Sequence, residues 1–208
     1  MGAPMSADRP LDLLDLHPEP ISQFERWFAE AREGGAFEPE AMALATASPA
    51  GAPSARMVLN KGFDERGFVF YTNYASRKGH ELDANPCGAL LFHWPELGRQ
   101  VRVEGPVSRV SRAETEAYAH SRSRGSQLSA LASPQSRPVE SREWLERRVA
   151  ELAREYAEAD LPPKDEWGGY RLAPEAWEFW QHRPDRLHDR FAYRLESGGA
   201  WRIERLAP

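Results

Sequence analysis

Short β-rich runs set apart by turn residues, with helices between them but no regular strand–helix–strand alternation, constrain this chain most. A chain patterned this way closes a mainly antiparallel sheet on itself. It does not build a doubly wound parallel sheet. Residues 41–47 are a short apolar run, and residues 55–61 alternate less cleanly. Asp64-Glu65-Arg66-Gly67 reads as a turn with residues 68–72 as the strand behind it, so a hairpin of 55–61 with 68–72 is predicted. Residues 88–94 and 100–110 supply two more strands. In the second, Val101, Val103 and Val107 alternate with polar residues until Gly105-Pro106 interrupts. The tail adds 169–173, 176–180, 190–195 and 200–205, the last two joined across Ser197-Gly198-Gly199.

Helices fill the gaps. Ser22 and Glu25 read as a capping box, followed by Phe24, Trp27, Phe28 and Ala31 on one face and Gly34-Gly35 as the stop. Residues 76–84 form a short helix halted by Asn85-Pro86. Ser111 with Glu114 opens another, running to about Arg122. The longest helix is predicted over 140–159, with Leu145, Val149, Leu152 and Tyr156 on one face and Pro162-Pro163 behind it. Residues 1–20, rich in Pro and Asp, are expected to be flexible, and residues 21–208 to form a single domain. The expected fold is mainly β with helices, a β-barrel with helical decoration.

Charge and motif content remove whole classes of function. The net charge of -5 argues against nucleic acid as a partner. No apolar run approaches the roughly 18 residues of a membrane span, and residues 1–10 lack the apolar core of a signal peptide, so a cytoplasmic location is expected. The single cysteine, Cys87, cannot form an internal disulfide and is expected to be a small buried apolar residue. The nucleophile elbow, the H-E-x-x-H zinc motif, paired C-x-x-C, the P-loop and G-x-G-x-x-G are all missing. The scattered histidines have no metal-ligand spacing, so no metal is expected.

Four segments concentrate chemistry. In residues 56–61, Arg56 and Lys61 near opposite ends of a strand can hold two cations around an anion. In residues 71–78, Tyr71 and Thr72 run into a helix start bearing Arg77 and Lys78, the donor set of a phosphate cradle. Tyr118 and Arg122 share a helix face, with Ser126 just beyond it, as a second phosphate site. The first two equally describe a solvated charged strand end or helix face, and the third, taken alone, reads better as an amphipathic surface helix. In the fourth, Trp180 and Arg190 could hold a planar ligand. His188, whose charged form Arg186 and Arg190 would disfavour, could meet a substrate as a neutral imidazole.

Taken together, residues 56–61 (RMVLNK), 67–79 (GFVFYTNYASRKG), 99–104 (RQVRVE), 132–136 (ASPQS), 167–170 (WGGY), 178–181 (EFWQ), 186–191 (RLHDRF) and 201–208 (WRIERLAP) strongly resemble the pyridoxamine 5′-phosphate oxidases. The match runs in order from about Phe24 to Pro208. The resemblance implies an FMN-binding split β-barrel of Greek-key type and a homodimer with FMN at the subunit interface. It implies oxidation of pyridoxamine and pyridoxine 5′-phosphates by dioxygen to pyridoxal 5′-phosphate. FMN contacts would fall at Arg56, Met57, Val58, Leu59, Lys61, Tyr71, Thr72, Arg77, Lys78, Gln100, Gln135, Ser136, Trp180 and Arg190. Substrate contacts would fall at Lys61, Tyr118, Arg122, Ser126, Arg186, Leu187 and His188, with Arg186 and His188 orienting the reacting end. The pattern departs from the family at Asn60 (usually apolar), Ser123 (commonly Pro) and Leu131 (commonly Trp), and the N-terminal segment lacks a Tyr-containing stretch. A phenazine-biosynthesis flavoprotein oxidase keeps a similar Arg-Leu-His motif but needs a substrate-phosphate site less. A non-catalytic FMN or pyridoxal phosphate carrier would not need both Arg186 and His188. A split-barrel reductase using another flavin fits Trp180, Gln135 and the 186–190 segment poorly.

Overall fold

Strand β6 (Arg99–Arg109) is the seam of the fold. Along one side it pairs with β5 (Cys87–Trp94). Along the other, its first part pairs with β8 (Ala176–Gln181) and its last residues with β7 (Trp167–Leu172). The switch of partner falls at Gly105-Pro106, which the sequence pattern reads as an interruption. The strand is continuous there because Gly105 has no side chain: a Cβ would stand 1.9 Å from the Ala173 carbonyl oxygen. The structure, a computed structural model, describes residues 10–157, 159–162 and 164–208.

The remaining strands are β1 (Ala41–Ala47), β2 (Pro53–Leu59), β3 (Gly62–Asp64), β4 (Gly67–Asn73), β9 (Asp189–Leu195) and β10 (Trp201–Arg205). One sheet path runs β10-β9-β8-β6-β5-β1-β2, and β3, β4 and β7 join it through β6. Every pairing is antiparallel, and strands distant in sequence lie side by side (β1 with β5, β4 with β7, β6 with β8). The result is a curled, barrel-like sheet decorated by helices, as expected.

The predicted hairpin of 55–61 with 68–72 is not made. β2 folds back on β1, with Met42 opposite Val58, because the turn at residues 48–52 returns the chain at once. That stretch, Ser-Pro-Ala-Gly-Ala, carries Gly51 at φ 81. The short strand β3 takes the hairpin place beside β4.

Helix α1 (Pro20–Glu33) presses Phe24, Trp27 and Ala31 into the sheet, with the Phe24 ring centroid 4.8 Å from those of both Phe68 and Phe92. It begins at Pro20, whose fixed φ and missing N–H suit a first helical position. Ser22 therefore lies inside the first turn, and the Ser22–Glu25 capping box is not the start of this helix. Helix α2 (Arg77–Ala84) is capped by Ser76, and α3 (Arg112–Ser121) by the expected Ser111–Glu114 box. A further helix, α4 (Arg124–Ala132), is capped by Ser123. It packs Leu128 and Ala132 against Leu152 of α5 (Arg142–Glu155). Helix α5 is shorter than the predicted 140–159: Ser141 caps it, and the chain turns after Glu155. Of the two prolines behind it, Pro163 lies outside the described residues.

The stretch expected to be flexible divides in two. Residues 1–9 lie outside the described residues, whereas Leu11 is fully buried and its N–H donates to Asp189 Oδ2 at 3.0 Å. Cys87, expected to be buried, is exposed at the very start of β5, opposite Pro106. Among the described residues no helix is long and apolar enough to cross a membrane.

Candidate functional site

Strand β2 ends the sheet path, so among the described residues its outer edge has no strand partner and its backbone groups face outward. Beside that edge opens a cavity of about 380 Å³. Met57, Val58, Leu59 and Lys61 line it from the β2 side, Tyr71 and Thr72 from β4, and Lys78 from α2. Tyr118 and Arg122 come from α3 and its C-cap, Gln135 from the loop after α4, and Trp167 from β7. Ten residues expected from the sequence are thus brought to one cavity. Asn73, Ser129, Ala130 and Ser133 complete the lining, which includes no acidic side chain.

The polar part of the lining is one hydrogen-bonded unit. Lys78, 8% exposed, donates to Thr72 Oγ1 and Gln135 Oε1, both at 3.1 Å, and Thr72 donates to Gln135 Oε1 at 2.9 Å. Burial, and then the Arg56 charge, pull the Lys78 amine below its ordinary range. An anion placed here would reverse that cost. The aromatic part is a stack: Tyr71 and Tyr118 lie 3.9 Å apart and nearly parallel, with Trp167 beside them at 5.5 and 6.1 Å. The Arg122 guanidinium stands over Trp167 at 5.0 Å. Burial raises the Tyr118 phenol against the opposing Arg122 charge, so it stays a hydrogen-bond donor. Among the described residues none of Lys61, Lys78 and Arg122 has a carboxylate partner, unlike Arg66, Arg99, Arg109 and Arg112. Three uncompensated cations beside flat aromatic rings suit a planar, phosphorylated ligand.

Four of the expected residues lie close by but line no part of this cavity. Arg56 is held by Leu44 O, Thr46, Ser54 and Glu81. Arg77 and Ser136 border a neighbouring shallow cleft. Ser126 sits in the first turn of α4, not beyond a helix, and its hydroxyl accepts from Ser123 Oγ at 2.9 Å.

A second group stands elsewhere on the chain. Gln100, Trp180 and Arg190 are cross-strand neighbours on β6, β8 and β9, so they share one sheet face. Trp180 is four strands along the path from β2. The Trp180 ring centroid is 4.6 Å from that of His188. His188 Nδ1 accepts the Arg183 N–H at 3.1 Å, which leaves the proton of a neutral imidazole on Nε2. Arg190 does not face His188 as a free charge: buried Glu178 takes its Nε at 2.8 Å and Ala207 O its NH1 at 2.7 Å. Asp185 (φ 56) and Arg186 (φ 61) are consecutive left-handed residues just before Leu187, which is 70% exposed. Strain of about 1–3 kcal/mol per such residue collects at ligand sites.

Sequence reasoning passed over Trp167, which it met only within a motif, and Glu81 and Glu178, whose partners come from distant strands. It also passed over Ser129 and Ser133, because α4 was not recognised. The spacing of Leu128 and Ala132 was the available signal for that helix.

Comparison with known proteins gives the family and the fold. A family model described as pyridoxamine 5′-phosphate oxidase matches residues 29–155. A second, described as the pyridoxine 5′-phosphate oxidase C-terminal dimerisation region, matches residues 167–208. The pyridoxine/pyridoxamine 5′-phosphate oxidase of Rubrobacter xylanophilus is 61% identical over 191 residues, 92% of this chain and 88% of the relative. Pyridoxine/pyridoxamine 5′-phosphate oxidase 1 of Ralstonia nicotianae is 57% identical over 199 residues, 95% and 93% of the two chains. Among solved structures, PhzG from Burkholderia lata, in complex with tetrahydrophenazine-1-carboxylic acid, superposes with a TM-score of 0.90 at 34% identity, covering 98% of this chain and 100% of that one. A pyridoxamine 5′-phosphate oxidase-related, FMN-binding protein from Nostoc punctiforme gives 0.71 at 19% identity over 91% and 98%, a likeness of fold.

Proposed function

The chain belongs to the pyridoxamine 5′-phosphate oxidase family, and from that premise we propose that it oxidises pyridoxamine 5′-phosphate and pyridoxine 5′-phosphate to pyridoxal 5′-phosphate. The alcohol and dioxygen give the aldehyde and hydrogen peroxide. The amine, dioxygen and water give the aldehyde, ammonia and hydrogen peroxide. The observation that carries this reading is the cavity beside β2, with three cations that have no carboxylate partner among the described residues, and a stacked aromatic wall.

FMN is the cofactor, and the donor set suits it. Lys78, Arg77 and Arg56 offer cations for a phosphate, and the open edge of β2 offers backbone donors and acceptors to the rim of a flat ring. When bound, FMN supplies a two-electron acceptor that dioxygen can reoxidise. The chain's own residues bind and orient. Lys61, Tyr118 and Arg122 hold the substrate phosphate, fixing the far end of the molecule so that its reacting carbon is positioned. Ser126 joins them when its hydroxyl turns from Ser123.

Gln100, Trp180, Arg186, Leu187, His188 and Arg190 line no part of this cavity, and β8, which bears Trp180, stands four strands along the sheet path from β2. In a homodimer, which the C-terminal dimerisation region supports, the partner subunit's copies of these residues complete the site. There the His188 Nε2–H and the Arg186 guanidinium would orient the reacting end, and Trp180 would help hold the flavin. A single exposed cysteine fits the reducing cytoplasm. The PhzG likeness keeps a phenazine-type oxidase as the competing reading. The phosphate-directed cations favour the B6 substrates over it.

The test is to load the protein with FMN and follow aldehyde formation in air from both phosphorylated vitamers and from their dephosphorylated forms. Turnover that depends on the substrate phosphate is the expected result. Tight FMN binding with no turnover of either vitamer would overturn the reading.

A further inference from the structure

Glu81, on the second turn of α2, is 7% exposed and lies among the residues assigned to the flavin phosphate. Its Oε2 accepts from Thr46 Oγ1 and Ser54 Oγ, each at 2.5 Å, and from Arg56 NH2 at 3.2 Å. Its Oε1 accepts from Arg77 Nε at 2.9 Å. A carboxylate beside a phosphate site would ordinarily repel the ligand. Here its placement argues for another part. It grips Arg77 by Nε alone, which leaves both terminal nitrogens of that 64% exposed side chain free for the two parallel bonds a phosphate accepts. It ties Arg56 to the same point from β2, so cations from a strand and a helix share one anchor. With Lys78, the group then keeps a surplus of two positive charges. A phosphate monoester carries about -1.5 to -2 at neutral pH.

We propose that Glu81 is a positioning residue for the cofactor: it holds Arg77 in the geometry that receives the flavin phosphate and fixes Arg56, whose terminal nitrogens already donate to Leu44 O, Thr46, Ser54 and Glu81, as a charge beside it. The state of the carboxyl agrees. Burial alone would push it up, but the hydrogen bonds from Ser54, Thr46, Arg77 and Arg56 outweigh that and hold it at about 2, so it is ionised at working pH. The proposal rests on the FMN reading, and the test separates the two.

FMN is titrated into the flavin-free full-length protein, and the dissociation constant is read from quenching of flavin fluorescence. The variants are wild type, Glu81→Ala, Arg77→Ala and the double variant. Failure of wild type to bind FMN would remove the cofactor reading itself. With wild type binding, Glu81→Ala is expected to weaken FMN about tenfold, the scale of a charge-assisted hydrogen bond. Arg77→Ala should then cost much less in the Glu81→Ala background than alone, because the two act as one unit. A Glu81→Ala protein that binds FMN as tightly as wild type or more tightly, or two losses that simply multiply, would overturn the proposal. Should Glu81→Ala fail to fold, the same cycle is run with Glu81→Gln, which keeps an acceptor. A smaller loss with the same non-additivity is then expected, and full additivity overturns it.

Discussion

Arg122 is held by stacking, not by charge: its guanidinium lies over Trp167, and among the described residues no carboxylate competes for it. Replacing it by Ala should remove one charge-assisted contact to the substrate phosphate, roughly 1.5–3 kcal/mol, or about 10- to 150-fold in KM. The dephosphorylated substrate should show no such change. Trp167→Ala should raise KM by a smaller factor, on the scale of a cation–π contact of about 0.5–2 kcal/mol, and Trp167→Phe should recover part of it. Steady-state kinetics on these variants checks both. The two tryptophan variants show what a sequence can say at this scale. Lys61, Tyr118 and Arg122 are legible because their chemistry is written in their residue type and spacing. Trp167 is not, since a tryptophan at a strand start reads as core until Tyr71 and Tyr118 are seen stacked beside it. Glu81 is harder still. A glutamate on a polar helix looks like surface until Thr46, Ser54 and Arg56 arrive from two other strands.

Among the elements, β6 carries a strict packing requirement. It serves two different partners along its length, and only a residue without a side chain lets the Ala173 backbone pass at Gly105. Gly105→Ala should therefore force the strands apart and destabilise the protein by roughly 3 kcal/mol or more, the range of overpacking against backbone that cannot yield. Gly198→Ala, in the turn before β10 where nothing stands near an added Cβ, should cost well under that. Urea unfolding of both variants gives the comparison. The pattern found nearly every strand because alternation and turn residues are local signals, and it found α3 because its capping box is local too. It mispaired β2 because pairing depends on which partner a turn delivers first, and the turn at 48–52 delivers β1. It missed α4 because Gly125, Ser126 and Ser129 dilute a helix whose stability comes from packing Leu128 and Ala132 on α5.

At the scale of the whole molecule, the proposed site draws on two groups of residues, and on that reading a second copy of the chain completes it. The β2 cavity holds Lys61, Tyr118 and Arg122, while His188, Trp180 and Arg190 lie across the sheet, His188 just before β9 at the start of the strand pair that closes the chain. On the proposed arrangement, isologous pairing would bring each group against the other group of its partner and make two equal sites. This geometry has a consequence that no single-chain site shares. Arg122→Ala damages one group and His188→Ala the other, so each homodimer loses both of its sites. Mixed by unfolding and refolding together, the two variants also form heterodimers. In each heterodimer one site receives both substitutions, and the other receives neither. With random pairing half the dimers are mixed, so the mixture should recover about a quarter of wild-type activity per site. A site built within one chain would recover none, since every copy would still carry one damaged residue. Assaying the refolded mixture against each variant refolded alone therefore distinguishes the two arrangements, provided sedimentation shows that all three samples are dimers.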